Sequence, residues 1–514
     1  MKKLDIFFLA TVGLASVAQA ADLPTKKGGD QPAGKPDCFA SLWNWLNSSA
    51  SDCPLSYAGI TLYGALDVGA GYFSQGSAFT PSSDKLVYGI QKYSTGSRWQ
   101  PTYNALSTSV VGIKMIENLA YGWSLIGLVE AGVNPYSGML DNQPRTLADN
   151  NPRPTGKWPY QTSNFDGSRA GQWDNSQGFV GFSNPVYGTI TFGRTNSLSF
   201  DALPAYDPVT SIAFSPLGFS NSFPGFGDTV TVRPNTAFTY RLTYQNFRAA
   251  AQGQVGGYAI GNGTNGMYQG QLGADFGPLS LDGIVSWAKD AASLSSFSGA
   301  NIAELGHTGQ WFVNVNNAYY YPNTVLKATL SNNLGVELLA KYKWNSVTLY
   351  GGYIYARLSN PTDDYLTGFP TVAEGIFIPP GSWSKGVYAN AAITDNAYNI
   401  NKVLQTFWTG AKWSVWDNLD VSAGFYYQSQ NDYNFTVSQK DATVAAACTG
   451  TGINISSGKC AGSQDAVSLL VDWRPVGRVD VYAGVMLSNV YGGLANGFLN
   501  AQNYDPAAGI RIRF

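Results

Sequence analysis

The feature that most constrains the fold is an alternation of apolar and polar residues with a period of two, which returns along almost the whole chain. Near residue 480, for example, Val479 and Val481 alternate with Arg478, Asp480 and Tyr482. This period places apolar side chains on one face of a β-strand and polar side chains on the other. Sixteen such segments are recognised, near residues 59–72, 106–117, 121–133, 176–183, 187–194, 235–245, 247–257, 267–276, 279–289, 334–343, 345–356, 403–414, 418–429, 464–473, 478–489 and 506–514.

The connections between these segments are alternately short and long. The short ones, such as 183–186 and 474–477, are turn-like, whereas the long ones, such as 134–175 and 290–333, are rich in Asn, Gly, Ser and Pro. A soluble sandwich has no reason to keep every short turn at one end, but a transmembrane barrel has short periplasmic turns and longer outer loops. We therefore predict an all-β fold, a 16-stranded antiparallel transmembrane β-barrel over residues 57–514.

The distribution of charge and aromatic residues fits this prediction. Only 12% of residues are charged, and no stretch after the amino terminus has the roughly 20 uninterrupted apolar residues of a membrane helix. Charges fall repeatedly on one parity of the strands, so that face is expected to line a water-filled lumen. Aromatic residues gather near the predicted strand ends, because amphipathic rings are stable at the level of the lipid headgroups. These residues are Tyr72, Trp123, Tyr353, Tyr355, Trp413, Trp473 and Phe514.

The chain ends in a strand that has the same two faces. Ile510, Ile512 and Phe514 alternate with Arg511 and Arg513. We expect the apolar three to face lipid and the arginines to face the lumen. With an even number of strands, this last strand is predicted to close the barrel onto residues 59–72.

The first residues predict export. A basic start, a short apolar run and small residues before Ala21 are typical of a signal peptide over residues 1–20. Residues 21–56 are predicted to form an N-terminal periplasmic extension, first a flexible linker and then a small turn or short helix. The formal net charge of −2 gives no basic footprint for nucleic acid.

Four cysteines form two sequence-local pairs, Cys38 with Cys53 and Cys448 with Cys460. In an exported chain this even count predicts two short-loop disulfides, because metal binding would require tighter spacing or nearby histidine. The single histidine, His307, lies in a polar stretch. We predict neither a metal nor a cofactor.

Several motifs resemble those of one family. Residues 187–196, followed by 200–203, look like the entry into the third, constricting loop of the general, non-specific porins of Gram-negative bacteria. Residues 223–228 are similar to the tip of that loop, and the opening 60–67 and the terminal Phe514 also fit the family. The resemblance extends from about residue 57 to the end and leaves out residues 21–56.

The resemblance implies a homotrimer of 16-stranded channels for small hydrophilic solutes, embedded in outer-membrane lipid. It implies that a loop of about residues 195–234 narrows the lumen, with acids on the loop facing arginines on the wall. It also implies that the outer-membrane assembly machinery reads Phe514. Carried over to this chain, the implied constriction residues are Arg194 and Arg233 on the wall, Glu130 as an inward acid, and Asp201, Asp207 and Asp228 on or near the loop.

Two departures from the family pattern remove charge. Gly225 stands where the family has a glutamate, and Ser109 begins a stretch where family members often have an arginine. Lys114 and Arg241, on the lumen parity of their strands, are candidate replacements. Arg194 shares the parity of the apolar positions in its strand, so a bend before it would be needed to turn it inward.

Other functions stay open at this stage. A solute-specific channel, such as an 18-stranded sugar porin, would use an aromatic ladder in the lumen, for which Tyr63, Tyr350, Trp408 and Tyr426 are candidates. An outer-membrane enzyme would need a base, and His307 has no catalytic motif around it; neither a Gly-x-Ser-x-Gly motif nor a phosphate loop occurs. An adhesin or structural barrel is not separated from a channel by sequence.

Overall fold

The computed structural model forms a closed antiparallel barrel. It describes residues 37–74, 96–141, 176–210, 212–218, 233–234, 236–255, 266–291, 312–313, 319–320, 331–359, 372–373, 376–377, 400–433, 435–439, 442–446, 460–495 and 499–514. The signal peptide predicted over residues 1–20 lies outside these ranges. Among the described residues, no helix is both long and apolar enough to cross a membrane.

Within the described ranges, sixteen strands make up the barrel wall, each pairing with its neighbours along the chain. Every segment predicted from the period-two pattern coincides with one of them. The strands are β1 Ile60–Phe73, β2 Val110–Asn118, β3 Ser124–Asn134, β4 Gly178–Asn184, β5 Gly188–Arg194, β6 Ala237–Tyr244, β7 Phe247–Gln254, β8 Gly266–Phe276, β9 Leu279–Ala291, β10 Ser331–Trp344, β11 Val347–Ser359, β12 Lys402–Trp416, β13 Leu419–Gln430, β14 Gly462–Val476, β15 Val479–Gly492 and β16 Gln502–Arg513.

Short elements complete the structure. Leu55–Tyr57, Arg98–Tyr103 and Met139–Asp141 extend the barrel sheet. Among the described residues of the connections, three small hairpins occur, Phe312–Val313 with Tyr319–Tyr320, Val372–Ala373 with Ile376–Phe377, and Phe435–Gln439 with Ala442–Ala446. The helices are α1 Leu42–Asn47 and α2 Leu198–Ala202, with short 3-10 turns at Ala120–Gly122, Leu203–Ala205, Pro216–Gly218 and Gly493–Ala495.

The barrel closes where the sequence predicts. In the antiparallel pairing of β16 with β1, Ile512 lies opposite Leu66. The backbone N–H of Phe514 donates to the carbonyl of Gly64 at 2.9 Å, and the N–H of Gly64 donates to the carbonyl of Phe514 at the same distance. The ring of Phe514 covers Gly64 so closely that a Cβ there would lie 2.5 Å from the ring. Glycine at position 64 therefore makes room for the terminal aromatic.

The two faces of the wall are also as predicted. On β16, Ile510 and Ile512 are 44% and 40% exposed, respectively, toward the surrounding lipid. Arg511 points into the lumen, where it is 5% exposed. Its Nε donates to Oδ2 of Asp480 at 2.9 Å, and Nε of Arg513 lies 3.1 Å from the same oxygen. One buried carboxylate on β15 is thus shared by two guanidinium groups beside the seam.

One part of the wall differs from the prediction. The second strand was expected to start near residue 106, but β2 starts at Val110 because residues 104–109 leave the sheet and fold into the lumen. Asn104 has a positive φ of 63°, which turns the chain inward. Oδ2 of Asp67 then accepts the N–H groups of Leu106 and Ser107 at 2.7 and 2.9 Å. These bonds compensate for the ladder bonds that the segment gives up.

A disulfide-closed module lies beside the short turn between β14 and β15. Cys38 and Cys53 are bonded, as predicted, and enclose helix α1. The buried side chain of Arg478, in the turn between β14 and β15, donates to the carbonyls of Trp45 and Cys53 at 2.8 and 2.5 Å. Its guanidinium group also lies 4.2 Å from the centroid of the Trp45 ring. Arg478 therefore ties the module to the turn between β14 and β15.

Only one cysteine of the second predicted disulfide, Cys460, lies among the described residues. Cys460 is disulfide-bonded, and it is 1% exposed just before β14. Cys448 lies outside the described residues, so the pairing of Cys448 with Cys460 stays a prediction.

The carboxylate at the seam yields a stability prediction. The variant Asp480→Ala leaves two arginines without their shared partner, and removal of one partner from a buried ion pair costs about 3 kcal/mol or more. We expect a lower urea midpoint for unfolding in detergent micelles, followed by tryptophan fluorescence. Asp417→Ala, in the exposed turn between β12 and β13, is the matched control and should leave the midpoint unchanged. Equal midpoints for both variants would contradict the structural role of Asp480.

Candidate pore constriction

After β5 the chain turns into the barrel instead of leaving it. Ser197 caps helix α2, and its Oγ accepts the N–H of Phe200 at 3.1 Å. The 3-10 turn Leu203–Ala205 follows directly. Most of the described residues between 195 and 218 are buried, which is unusual for a connection unless it packs against inward-facing side chains.

The first half of this loop is fastened to three strands. The N–H of Leu198 donates to Oε1 of Gln269 on β8 at 2.6 Å. The hydroxyl of Tyr206 donates to Oδ2 of Asp282 on β9. Nε1 of Trp408 on β12 donates to the carbonyl of Tyr206 at 2.9 Å. The loop therefore follows the inner wall across these strands.

The second half of the loop continues in the same direction. The hydroxyl of Tyr426 on β13 donates to Oδ1 of Asp207 at 2.5 Å. The ring of Phe214 packs edge-on against that of Tyr482 on β15, with a centroid distance of 6.3 Å. Together with the first half, these contacts trace an arc from β8 to β15.

The arc ends on the other segment that folds inward. The N–H of Ala213 donates to the carbonyl of Ala105 at 3.3 Å. Residues 104–109 are themselves tied to β1 through Asp67, whose Oδ1 accepts the hydroxyl proton of Tyr482 at 2.5 Å. The loop is thus held at both ends of its path.

Apolar side chains fill the space between the loop and the wall. They come from lumen-facing positions, where a water-filled pore would be expected to carry polar residues. The buried wall residues in this cluster are Phe73, Ile284, Leu339, Ile354, Trp408, Tyr426, Ala466, Leu470, Tyr482, Met486, Val490 and Ala507. Removal of these side chains from water stabilises the position of the loop against the wall.

The two predicted wall arginines lie at the root of the loop. Nε and Nη1 of Arg194 donate to the carbonyls of Ser176 and Arg233, each at 2.8 Å. Nε of Arg233 donates to Oδ1 of Asn196 at 2.9 Å, and its guanidinium lies 5.0 Å from the Phe200 ring centroid. Both arginines are buried. They join the entry of the loop to its exit.

The backbone before Arg194 departs from strand geometry. Gly193 has a φ of 135°, and a Cβ there would collide with the backbone of β4. Phe192 remains on the outer face, 39% exposed, whereas Arg194 is 6% exposed. The glycine thus turns the arginine away from the parity that strict alternation would give it.

One predicted acid and one predicted base meet at the loop. Nη2 of Arg241 on β6 forms an ion pair with Oδ2 of Asp201, and Nδ2 of Asn196 donates to Oδ1 of Asp201 at 2.8 Å. The Arg241 side chain keeps 37% of its surface exposed and that of Asp201 keeps 12%. Burial raises the pKa of the Asp201 carboxyl, and the guanidinium of Arg241 opposes that shift.

The remaining predicted residues are distributed around the barrel. Glu130 on β3 is buried and accepts from the hydroxyls of Tyr63, at 2.9 Å, and of Ser176. Nζ of Lys114 on β2 lies 5.9 Å from the Tyr63 ring centroid. Asp207 is fastened to β13, as described above. Asp228 and His307 lie outside the described residues.

The 18-stranded form of the sugar-porin alternative is wrong for this barrel. The wall has 16 strands among the described residues, not the 18 of a sugar porin. Trp408 and Tyr426, two of the four proposed ladder residues, are 0% and 1% exposed because the loop covers them. They hold the loop and offer no surface to a solute.

Sequence reasoning missed several residues that place the loop. Among them, Arg248 on β7 donates through Nη2 to Tyr206 Oη and to Oδ2 of Asp282, both at 2.9 Å. The signal was present, because Gln269, Asp282 and Arg248 all lie on the lumen parity of neighbouring strands. Nothing local showed that a loop more than 40 residues away in sequence would meet them.

Comparisons with known proteins agree with this architecture. A family model described as Gram-negative porin matches residues 8–493. The anion-selective porin from Comamonas acidovorans superposes with a TM-score of 0.51 at 14% identity, over 88% of this chain and 99% of its own. OmpT of Vibrio cholerae gives a TM-score of 0.50 at 14% identity, over 90% and 100%. A comparison with curated protein sequences finds no match.

The two solved structures share the barrel fold, and the family model covers nearly the whole chain. The sequence predicts that the last strand pairs with the first, and in the structure β16 and Phe514 pair with β1. The chain therefore belongs to the Gram-negative porin family, the outer-membrane β-barrels that act as non-enzymatic channels for passive diffusion.

Proposed function

We propose that this chain is a general diffusion channel for small hydrophilic solutes and ions, and that residues 195–218 narrow it. The observation that carries the proposal is the docked path of the loop along the inner wall from β8 to β15. A 16-stranded barrel is wide enough to leave an aqueous channel, so a loop packed inside it sets the size limit.

Partial exposure suggests where the passage runs. On the loop, Asp201, Ala205 and Thr210 keep some exposed surface although most of their neighbours are buried. On the wall, Lys114 and Arg241 are likewise only partly buried. We place the passage between the loop and Lys114, beside β1 to β6 and opposite the wall that the loop covers, with the Arg241–Asp201 ion pair at its edge.

The charges assigned to the constriction divide into two roles in this proposal. Arg241, Asp201 and Lys114 border the passage and create its local field. Arg194 and Arg233 lie behind the loop and hold its root in place. Glu130, Asp207 and Asp228 complete the proposed set, as inward or loop acids.

The proposed assembly is a homotrimer in the outer membrane, with residues 21–56 as a periplasmic extension. Support for the trimer comes from the family resemblance, and OmpT of Vibrio cholerae has been described in a trimer form. The position of α1 at the β14–β15 turn, on the side of the short connections, supports the periplasmic placement.

Planar-bilayer recording tests the function directly. The purified, folded protein should give open conductance steps with weak voltage dependence, because no moving part is needed for passive diffusion. Folding is checked independently by the heat-dependent shift of the barrel on a denaturing gel. A protein that passes this check and never conducts would overturn the proposal in favour of an adhesin or structural barrel.

The proposal that the loop limits the size of the pore leads to a second prediction. Trp408→Leu removes the indole donor to Tyr206 and leaves a gap, which weakens loop docking by about 2 kcal/mol. We expect a larger single-channel conductance and faster entry of larger sugars in liposome-swelling assays. Trp416→Leu, exposed on the same strand, is the control and should behave as wild type. Unchanged conductance in Trp408→Leu would show that the loop does not limit the pore.

The terminal aromatic makes a third prediction. If the assembly machinery reads Phe514, its deletion should lower the amount of protein in outer-membrane fractions several-fold, while the molecules that do assemble conduct normally. Phe514→Tyr keeps a ring over Gly64 and should assemble at wild-type levels. Immunoblots of membrane fractions provide the measurement, and normal levels without Phe514 would exclude this role.

A further inference from the structure

One connection inside the wall supplies more residues than the sheet can pair. On β1, Val68 pairs with Tyr103 and Ala65 pairs with Val110. A regular antiparallel ladder would need two residues between Tyr103 and Val110 at this point, but the chain has six. Residues 104–109, the inner lobe, therefore project into the lumen, where all six are buried.

The carboxyl group of Asp67 holds two peptide groups of the inner lobe. Its Oδ2 accepts the N–H of Leu106 at 2.7 Å and the N–H of Ser107 at 2.9 Å. Its Oδ1 accepts the hydroxyl proton of Tyr482 at 2.5 Å, and the residue is 0% exposed. Since water does not compete with these bonds, Asp67 fixes the orientation of both peptide groups.

The opposite ends of the same two peptide groups bind the loop. The carbonyl of Ala105 shares its peptide group with the N–H of Leu106, and it accepts the N–H of Ala213 at 3.3 Å. The carbonyl of Leu106 shares its peptide group with the N–H of Ser107, and it accepts the hydroxyl proton of Thr210 at 3.4 Å. A trans peptide group is planar and points its N–H and its carbonyl in opposite directions. The carboxyl group therefore aims both carbonyls at the loop.

Apolar contacts continue the same interface. Ala105 and Leu106 belong to the buried cluster that also contains Val209, Ala213 and Phe214 of the loop. The two hydrogen bonds give this contact one position, because sliding of the loop along the lobe would leave buried carbonyls without a donor. The inner lobe thus forms a seat for the far part of the loop.

We propose that Asp67 is the positioning residue for the size limit of the channel: through the inner lobe it seats the far part of the loop and fixes the width of the passage. Asp67 and the lobe are buried, so they act on solutes only through the loop. The inference rests on the proposed narrowing by residues 195–218 and adds the group that sets where the loop stops.

The reactivity of a cysteine at the seat measures the contact. Ala213 is 3% exposed, so Ala213→Cys should react slowly with a charged methanethiosulfonate reagent. In combination with Asp67→Ala the reaction should become at least about tenfold faster, the factor for loss of one hydrogen bond to a charged acceptor. Asp67→Asn keeps an acceptor for both N–H groups and a donor for the Tyr482 oxygen, so in that background the reaction should stay slow.

Size selectivity gives the functional readout. In liposome-swelling assays, the rate for raffinose, a trisaccharide, is divided by the rate for arabinose, a pentose. This ratio should rise in Asp67→Ala, because a displaced loop admits the larger sugar, and should keep its wild-type value in Asp67→Asn. Fewer assembled channels would lower both rates and leave the ratio unchanged, so the ratio separates a wider passage from a defect in assembly. Asp417→Ala, the same change in an exposed turn, is the matched control.

A second variant removes the inner lobe and keeps the wall regular. Replacement of residues 104–109 by the dipeptide Ser-Val supplies the two residues that the ladder needs, so this barrel should assemble even if Asp67→Ala does not. It should show the same faster thiol reaction and the same higher sugar ratio. Wild-type values in an assembled Asp67→Ala or in the shortened variant, or equal changes in Asp67→Ala and Asp67→Asn, would overturn the role of Asp67 and leave the channel function intact. Wild-type protein that folds but never conducts would instead remove the proposed function.

Discussion

Barrel closure is the constraint on which the rest of the structure depends. Lipid offers no partner for a backbone N–H or carbonyl group, so a sheet in the membrane cannot leave an edge open. Here the edge is removed by pairing β16 with β1, and the ring of Phe514 lies over Gly64 at that junction. Beside this junction, Asp480 forms ion pairs with both Arg511 and Arg513. Closure then fixes the strand number and with it the width of the lumen.

A lumen of this width is filled from the inside by the chain itself. The loop between β5 and β6 lies against a belt of apolar wall residues, where burial of hydrocarbon favours docking over a free path through water. Hydrogen bonds from Trp408 and Tyr426 fix its course, and Arg194 joins its two ends. Rigid docking of this kind makes a permanent size limit possible without any gate.

The strands were predictable because their signal is local: a period of two in residues such as 418–429 and turn residues between the segments are read without knowledge of distant neighbours. The inward turn of residues 104–109 was not, since it depends on Asp67 and on the loop. Asp207 meets Tyr426 across 219 positions of sequence, and no local pattern encodes that contact. The apolar lumen positions Leu339 and Leu470 were the visible clue that something packs inside the barrel.

The path of the loop is the central claim, and thiol accessibility from the aqueous lumen measures it most directly. If the loop covers the wall from β8 to β15, a cysteine at Lys114 should react rapidly with a charged methanethiosulfonate reagent and reduce the current. A cysteine at Gln269, 5% exposed beneath the loop, should react at least about tenfold more slowly and leave the current unchanged. Equal reaction rates at the two positions, together with a reduced current after modification at position 269, would contradict the docked loop.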